Sequence, residues 1–489
     1  MVTRHQVLVA SNRGPVSYTV GEQGELTVKR GGGGLVSGLS SVKGDAVWVC
    51  AALGDGDREA VRRTGGRLDQ ADTGGQVVRM LDIAPEVFAD AYNGIANSVL
   101  WFVHHMLYQT PLEPVFDTEF DRQWRSYEAY NAAFADALAE EAAEGAVVVV
   151  QDYHLTLVPG LLRERRPDLR IGHFSHTPWA PPDYFRLLPD DPDGGVAAAV
   201  LRGILGADRA AFLTQRWANA FAECCVKLLG AEVAASDDGE MLVTYQGRTT
   251  RIGVHGLGAD GDFLRERSRR PDVTERMADL REQIGRDRDG NARKAIVRVD
   301  RTELSKNIVR GLLAYRRLLD DHPEWHGRVV HVALAYPSRQ DLAVYREYIA
   351  EVSRVAEEVN AAYGTEDWTP VVLYLKDDFA RSLAAYRLAD VALVNPIRDG
   401  MNLVAKEMPV VSDGGCALVL SREAGAFAEL AEDAITVNPY DIGATADALH
   451  RALSMDADER AERAKRLAAA ATALPPTAWF LEQLDALRR

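Results

Sequence analysis

Short apolar runs that end in polar or glycine-rich positions recur along the whole chain, at 6–10, 146–150, 170–174 and 211–214, with longer amphipathic stretches between several of them. A strand covered on both faces needs no alternation of polar and apolar residues, so such runs predict parallel strands joined by crossover helices. The second half repeats the pattern more cleanly, with strand candidates at 294–299, 328–335, 371–375, 391–395, 417–420 and 435–437. A chain of 489 residues is too long for one ordinary core, and its 47% hydrophobic content can fill two. The expected fold is α/β with two lobes.

Two further apparent strands, 242–245 and 250–254, precede Gly256-Leu257-Gly258-Ala259, where the boundary falls. Residues 1–256 then form the first lobe and 257–475 the second, whose opening segment 263–291 is charged and helical in pattern. Pro475-Pro476 breaks a long Ala/Arg/Glu helix. The closing segment, 476–489, carries Trp479, Phe480, Leu484 and Leu487 and is expected to dock back on the first lobe.

The charge balance narrows the partners. With 56 Lys+Arg against 72 Asp+Glu the net charge is −16, which opposes nonspecific binding to nucleic acid or an anionic membrane. Any phosphate site must be local. Cys50, Cys224, Cys225 and Cys416 have neither zinc-site spacing nor disulfide density. Together with the lack of a secretory pattern at the start and of a run of ~20 apolar residues, this reads as a cytoplasmic protein.

Chemistry-bearing residues cluster after the strand candidates, where open α/β sheets collect their ligands. The first run leads into Ser11-Asn12-Arg13-Gly14, followed by Lys29-Arg30 and the glycines 31–34. The glycines suit either a phosphate loop flanked by positive charge or a hairpin loop. Asp152 follows the valine run 147–150, and His176 follows 171–174, so the two can converge; a helix-capping Asp152 and a satisfied loop histidine are the bland alternative. His104, His105 and His154 read as structural. After 295–299, Arg301 and Lys306 are expected at a helix N-terminus, where basic side chains and open amides suit a diphosphate; a solvated charged turn is the alternative. After 391–395 come Asp399 and Glu407, up to ~12 Å apart if the segment is helical. The amides around 402–404 lie between them.

At these residues the chain resembles the retaining trehalose-6-phosphate synthases. The most specific match is Arg398-Asp399-Gly400-Met401-Asn402-Leu403-Val404-Ala405-Lys406-Glu407. It is supported in order by Asn97-Ser98-Val99-Leu100-Trp101, Asp152-Tyr153-His154-Leu155, His176-Thr177-Pro178, Ser338-Arg339 and Asn438-Pro439-Tyr440. The resemblance implies the GT-B architecture of two Rossmann-like lobes with the active site in the cleft between them. It implies acceptor contacts from Arg13, Tyr92, Trp101, Asp152 and Arg339. Donor contacts are implied from Gly34, His176, Arg301, Lys306, Asp399, Gly400, Met401, Asn402, Leu403, Val404 and Glu407. Among these His176, Arg301, Lys306 and Asp399 form the implied catalytic group.

What the resemblance implies chemically is transfer of glucose from a nucleotide glucose to glucose 6-phosphate with retention, giving α,α-trehalose 6-phosphate. The implied route is a front-face substitution in which the leaving phosphate helps take the acceptor proton. No metal or cofactor is implied, since Arg301 and Lys306 would carry the diphosphate charge. One departure concerns the donor. Many synthases have Arg-Leu-Asp-Tyr-Ser-Lys-Gly where this chain has Arg301-Thr302-Glu303-Leu304-Ser305-Lys306-Asn307, and similar Arg-Thr and Lys-Asn features occur in the related validoxylamine-phosphate synthase. On that ground GDP-glucose is favoured over UDP-glucose. The competing expectations are a pseudo-glycosyltransferase joining a GDP-cyclitol to an aminocyclitol phosphate, and a weakly catalytic sugar-phosphate sensor. A homo-oligomer is compatible with each.

Overall fold

The computed structural model describes residues 4–31, 46–190 and 194–489. Among the described residues, eleven strands belong to the first part of the chain: β1 (His5–Ala10), β2 (Val16–Val20), β3 (Leu26–Arg30), β4 (Ala46–Ala51), β5 (Val77–Leu81), β6 (Ala142–Gln151), β7 (Arg170–Ser175), β8 (Arg209–Phe212), β9 (Glu232–Ala235), β10 (Met241–Tyr245) and β11 (Arg248–Val254). Nine of them make one sheet in the order β5-β4-β1-β6-β7-β8-β11-β10-β9. Its body is parallel, and only the β11-β10-β9 edge is antiparallel. The parallel strands are buried on both faces, Val147–Val150 being at most 6% exposed, which is why they read as unbroken apolar runs. The edge and hairpin strands lack that signal. In β9 every residue is exposed, and in β3 four of five are. The antiparallel β2–β3 hairpin stands as a separate small sheet.

The second part contributes β12 (Lys294–Arg301), β13 (Val329–Tyr336), β14 (Val371–Tyr374), β15 (Val391–Val394), β16 (Ala417–Ser421) and β17 (Ile435–Val437), all parallel, in the order β14-β13-β12-β15-β16-β17. The chain divides into two compact units, Met1–Leu257 with Pro476–Arg489, and Gly258–Pro475. In each, the chain builds outward from a central strand and then reverses direction across the sheet. The reversal lies between β1 and β6 in the first unit and between β12 and β15 in the second. In open sheets of this kind ligands bind outside the carboxyl ends of the strands at such a reversal.

The closing helix Pro476–Arg488 belongs to the first unit. Trp479 and Phe480 are fully buried, and Leu487 presses on β7 at Gly172, where a Cβ would lie 2.6 Å from its Cδ1. A larger residue at 172 would require the Leu487 side chain to shift. The Trp479 ring meets Phe174 edge-on at 4.8 Å and His176 at 5.5 Å, so the far end of the sequence supports a residue that follows β7.

Candidate active site

Four of the five residues expected at the acceptor, Arg13, Tyr92, Trp101 and Asp152, belong to the first unit and lie around the reversal between β1 and β6, whereas Arg339 belongs to the second unit. The two strands pair up to Ala10 and Val150. The Ser11-Asn12-Arg13 turn and Asp152 therefore leave the sheet side by side. The turn is rigid: Trp48 Nε1 donates to Ser11 Oγ at 2.7 Å, Ser11 Oγ donates to the Arg13 carbonyl at 2.7 Å, and Tyr130 donates to Asn12 Oδ1 at 2.6 Å. Arg13 itself is exposed. Tyr92 sits on a π-helix, Asp90–Leu100, and its ring is sandwiched between Phe88 at 5.2 Å and His154 at 5.5 Å. Trp101 begins the following α-helical turn, buried, with its ring 3.8 Å from that of His105. Nothing in the sequence spacing announces a π-helix. Such segments are frequent at functional sites because the wider turn re-aims side chains.

Asp152 has φ +73° and ψ 174°, a region otherwise kept for glycine. Its amide donates to the Phe174 carbonyl at 2.7 Å, and its Oδ1 accepts the His176 amide at 3.2 Å. The expected convergence of Asp152 and His176 is thus a direct hydrogen bond. His176 Nε2 lies 2.8 Å from Gln151 Oε1, an acceptor, so Nε2 carries the proton and Nδ1 is left as acceptor. Burial lowers the His176 pKa although the Asp152 charge opposes it, which keeps the ring neutral at physiological pH. Gln151, buried at the end of β6, escaped the sequence reading because a strand-terminal glutamine has no spacing signal of its own.

Beside the glycine run, the Arg30 guanidinium is engaged by protein carbonyls, donating to Ala71 and Asp72 of the short helix Gln70–Thr73 at 2.9 and 3.1 Å. Gly34 lies outside the described residues.

In the second unit, the loops after β12 and β15 are laced together at the reversal. Arg298 donates to Asp300 Oδ2 at 2.8 Å and to the Lys306 carbonyl at 2.9 Å, and the Ile397 amide donates to the Ser305 carbonyl at 2.9 Å. Lys306 Nζ reaches Asp399 Oδ2 at 2.5 Å, whose other oxygen accepts the Gly400 amide at 2.9 Å. Burial alone would lower the Lys306 pKa, but Asp399, Asp300 and Glu303 outweigh it and raise it. Lys306 is a fixed cation. Arg301 and Arg339 each donate to Glu303 Oε1 at 2.9 Å, which places both guanidiniums at one point.

The expected helix N-terminus needs correcting. Arg301 ends β12 and Lys306 lies in a single 3₁₀ turn, while the helix starts only at Ile308. Its first amide is already used, donating to the Tyr348 hydroxyl at 2.8 Å. The open amides belong instead to the helix Leu403–Val411, where Leu403 and Val404 stand in the first turn, lacking intrahelical acceptors. Asn402, at φ +67°, caps that helix by accepting the Ala405 amide at 3.2 Å. The Met401 carbonyl accepts from the Ala426 amide at 2.7 Å. A Cβ on Gly425 would lie 1.7 Å from the Gly400 carbonyl oxygen, so only glycine permits this loop. Asp399 precedes the helix and Glu407 lies within it. Burial raises the Glu407 pKa, and Tyr386, donating to Oε2 at 3.1 Å, opposes the rise.

Asn307 takes φ +58°, and its amide is fully engaged. Nδ2 donates to the Asn395 and Pro439 carbonyls at 2.9 and 2.8 Å, and Oδ1 accepts from Arg310 at 3.0 Å. Asparagine here replaces glycine as a left-handed residue and ties two loops together.

Among the described residues one group, His322, Glu324 and His450, brings ligand atoms within 4.8 Å of one another. Its geometry is poor for a metal. The imidazoles stack face to face at 3.7 Å and 6°, and the Trp325 indole N–H donates to His450 Nδ1 at 3.1 Å. Ring lone pairs lie in the ring plane, so stacked rings do not converge on one ion.

The model of glycosyltransferase family 20 matches residues 5–489. The bifunctional trehalose-6-phosphate synthase/phosphatase of Thermoproteus tenax is 34% identical over 478 residues, covering 94% of this chain. The chain spans 60% to 62% of the length of the first two curated relatives it matches. The E. coli trehalose-6-phosphate structure bound with UDP-2-fluoro glucose is 27% identical, with TM-score 0.82 and 99% of each chain covered. The UDP-forming α,α-trehalose-phosphate synthase of Burkholderia xenovorans, in complex with glucose-6-phosphate, is 26% identical, with TM-score 0.82, 99% of this chain and 100% of that one covered. These likenesses run through the same strands that carry the clustered cations and carboxylates, and with a family model matching nearly every residue the chain belongs to glycosyltransferase family 20, with the GT-B fold.

Proposed function

We propose that this protein is a retaining glycosyltransferase that makes α,α-trehalose 6-phosphate from a nucleotide glucose and glucose 6-phosphate. The observation that carries the reading is the meeting of Arg301 and Arg339 at Glu303 beside the Lys306–Asp399 pair. Three cations at the carboxyl ends of β12 and β13 and in the loops that follow them suit a reaction in which both partners bear phosphate. In this reading Arg301 and Lys306 take up the charge that develops on the departing nucleoside diphosphate. The first-turn amides at Leu403 and Val404 face its oxygens, Asp399 and the 400–402 loop hold the donor hexose, and Glu407 holds the ribose. Arg13, Tyr92, Trp101 and Arg339 read the acceptor phosphate, and Asp152 its hydroxyls. The neutral His176, with an accepting Nδ1, contacts the donor hexose. No step calls for a metal or cofactor.

UDP-glucose takes first place as donor. The sequence grounds for GDP-glucose are the Arg301-Thr302 and Lys306-Asn307 features, and both Thr302 Oγ1 and the Asn307 amide are engaged by protein carbonyls. The solved relatives named above are described with UDP-2-fluoro glucose or as UDP-forming. Asn307→Gly keeps the left-handed backbone and is expected to leave the ratio of kcat/KM for UDP-glucose and GDP-glucose within about twofold, because phosphate and ribose contacts are common to both donors. A ratio that swings tenfold would return Asn307 to a base-reading role.

The reading is tested by mixing the protein with glucose 6-phosphate and either donor, then measuring nucleoside diphosphate release and product mass. A disaccharide monophosphate supports it. Product formed only with an aminocyclitol phosphate would support the pseudo-glycosyltransferase, and glucose 6-phosphate binding with no turnover from either donor would support the sensor.

A further inference from the structure

Glu303 lies in the 3₁₀ entry after β12 and its side chain is fully buried, an unusual place for a carboxylate that no assigned substrate contact explains. Its Oε1 accepts from Arg301 Nη1 at 2.9 Å, Arg339 Nη1 at 2.9 Å and Ser338 Oγ at 3.1 Å. Arg301 ends β12, and Arg339 follows three residues after the end of β13; the two strands pair in register up to Arg301 and Tyr336. Arg339 is pinned further. It has φ +47°, and its guanidinium lies 5.6 Å from the Tyr345 ring centroid. Arg301 is 45% exposed and Arg339 10%, so the buried carboxylate reaches outward through a pair of cations.

We infer that Glu303 is a positioning residue that fixes Arg301 and Arg339 to one buried oxygen, so that the guanidiniums assigned to the two anionic substrates are held at a set separation. The inference rests on the proposed function for the identity of those substrates. Two guanidiniums this close repel each other, and a buried anion between them removes the repulsion while the substrates are absent. A guanidinium offers five N–H donors in a rigid fork, and the shared oxygen takes one from each arginine. The cost is that Glu303 competes with phosphate for the same positive charge. Its removal should therefore strengthen ground-state binding of each anion while loosening the geometry needed for transfer. A residue needed only for folding would weaken both.

The experiment compares wild type, Glu303→Gln and Glu303→Asp. Calorimetry with UDP and, separately, glucose 6-phosphate gives the affinities; steady-state kinetics gives kcat and both KM values; a thermal melt checks folding. Glu303→Gln is expected to bind both probes at least as tightly as wild type, by up to about threefold, while kcat falls about 10- to 100-fold, the loss that a misplacement of about 1 Å brings. Glu303→Asp, which keeps the charge and shortens the reach, is expected to recover part of kcat and near-wild-type affinities. Wild-type kcat in Glu303→Gln, or affinities for both probes that weaken in step with a lowered melting temperature in both variants, overturns the inference. If the wild type binds both probes without turnover, the affinities decide: tighter binding of both by Glu303→Gln supports the inference, and unchanged or weaker binding overturns it. A wild type that binds neither probe overturns the reading of the site itself, and the inference with it.

Discussion

Lys306→Ala is expected to lower kcat/KM by roughly 10²–10³-fold, the range seen when one preorganised stabiliser of transition-state charge is removed. Lys306 Nζ lies 2.5 Å from Asp399 Oδ2, and both side chains are nearly buried, at 12% and 11% exposure. Water is largely excluded around the pair, so in the proposed reaction the cation would act on developing diphosphate charge with little screening. The same burial predicts a stability cost. Removing the lysine leaves Asp399 without its cation, and breaking a buried pair from one side costs about 3 kcal/mol. Lys306→Ala combined with Asp399→Asn separates the effects, since an amide leaves no unpaired charge and its one oxygen still accepts from the Gly400 amide, although the bond from Asn402 Nδ2 is lost. The double variant should regain most of the stability in a urea titration and none of the activity. The pH dependence follows from sign. The Lys306 pKa is raised above its ordinary value, so its contribution is present below that value and fades only as pH rises through the raised one. Activity falling below pH 8 through Lys306 titration, or a single variant with wild-type turnover, would remove the residue from its role.

The sequence was most legible where structure is local. Strands such as β6 and β13 are covered on both faces, so burial alone wrote their apolar runs, and the candidate site followed because ligand-binding residues come after such strands. β3 and β9 went unread because exposed strands have no apolar pattern to read. The site's partners were less accessible. Lys306 and Asp399 are 93 positions apart, and Glu303 meets Ser338 across 35, distances over which no local spacing rule operates. Arg30 shows the same. A basic residue beside glycines suits an anion or a hairpin loop equally, and the Arg30 guanidinium meets the Ala71 and Asp72 carbonyls, 41 and 42 positions on, which no local pattern announces. Likewise the amides expected before the helix Ile308–Asp321 were taken by Tyr348, leaving the anion-binding geometry to the helix that Asn402 caps.

Asp152→Gly is expected to stabilise the protein by about 1 kcal/mol while lowering kcat/KM about 10- to 100-fold. A non-glycine residue at φ +73° and ψ 174° stores on the order of 1–3 kcal/mol of strain, and glycine relieves it, offset in part by the greater freedom of a glycine in the unfolded chain and by loss of the bond from the His176 amide. The surroundings hold Asp152 in place. Its amide is fixed on the Phe174 carbonyl and its side chain accepts from the His176 amide, so the backbone cannot relax toward an ordinary strand without breaking both bonds. The activity loss follows from the carboxylate's proposed bonds to acceptor hydroxyls, each charge-assisted. Asp152→Ala distinguishes strain from contact. It keeps the disfavoured backbone and loses the bond to His176, so it should be less stable than wild type by about 1 kcal/mol and as inactive as the glycine variant. Equal melting midpoints for the alanine and glycine variants would show that the backbone is unstrained. A glycine variant with undiminished turnover would show that the carboxylate does not touch the acceptor. Stability rising as activity falls is the pattern of a residue kept in a costly conformation for what its side chain binds.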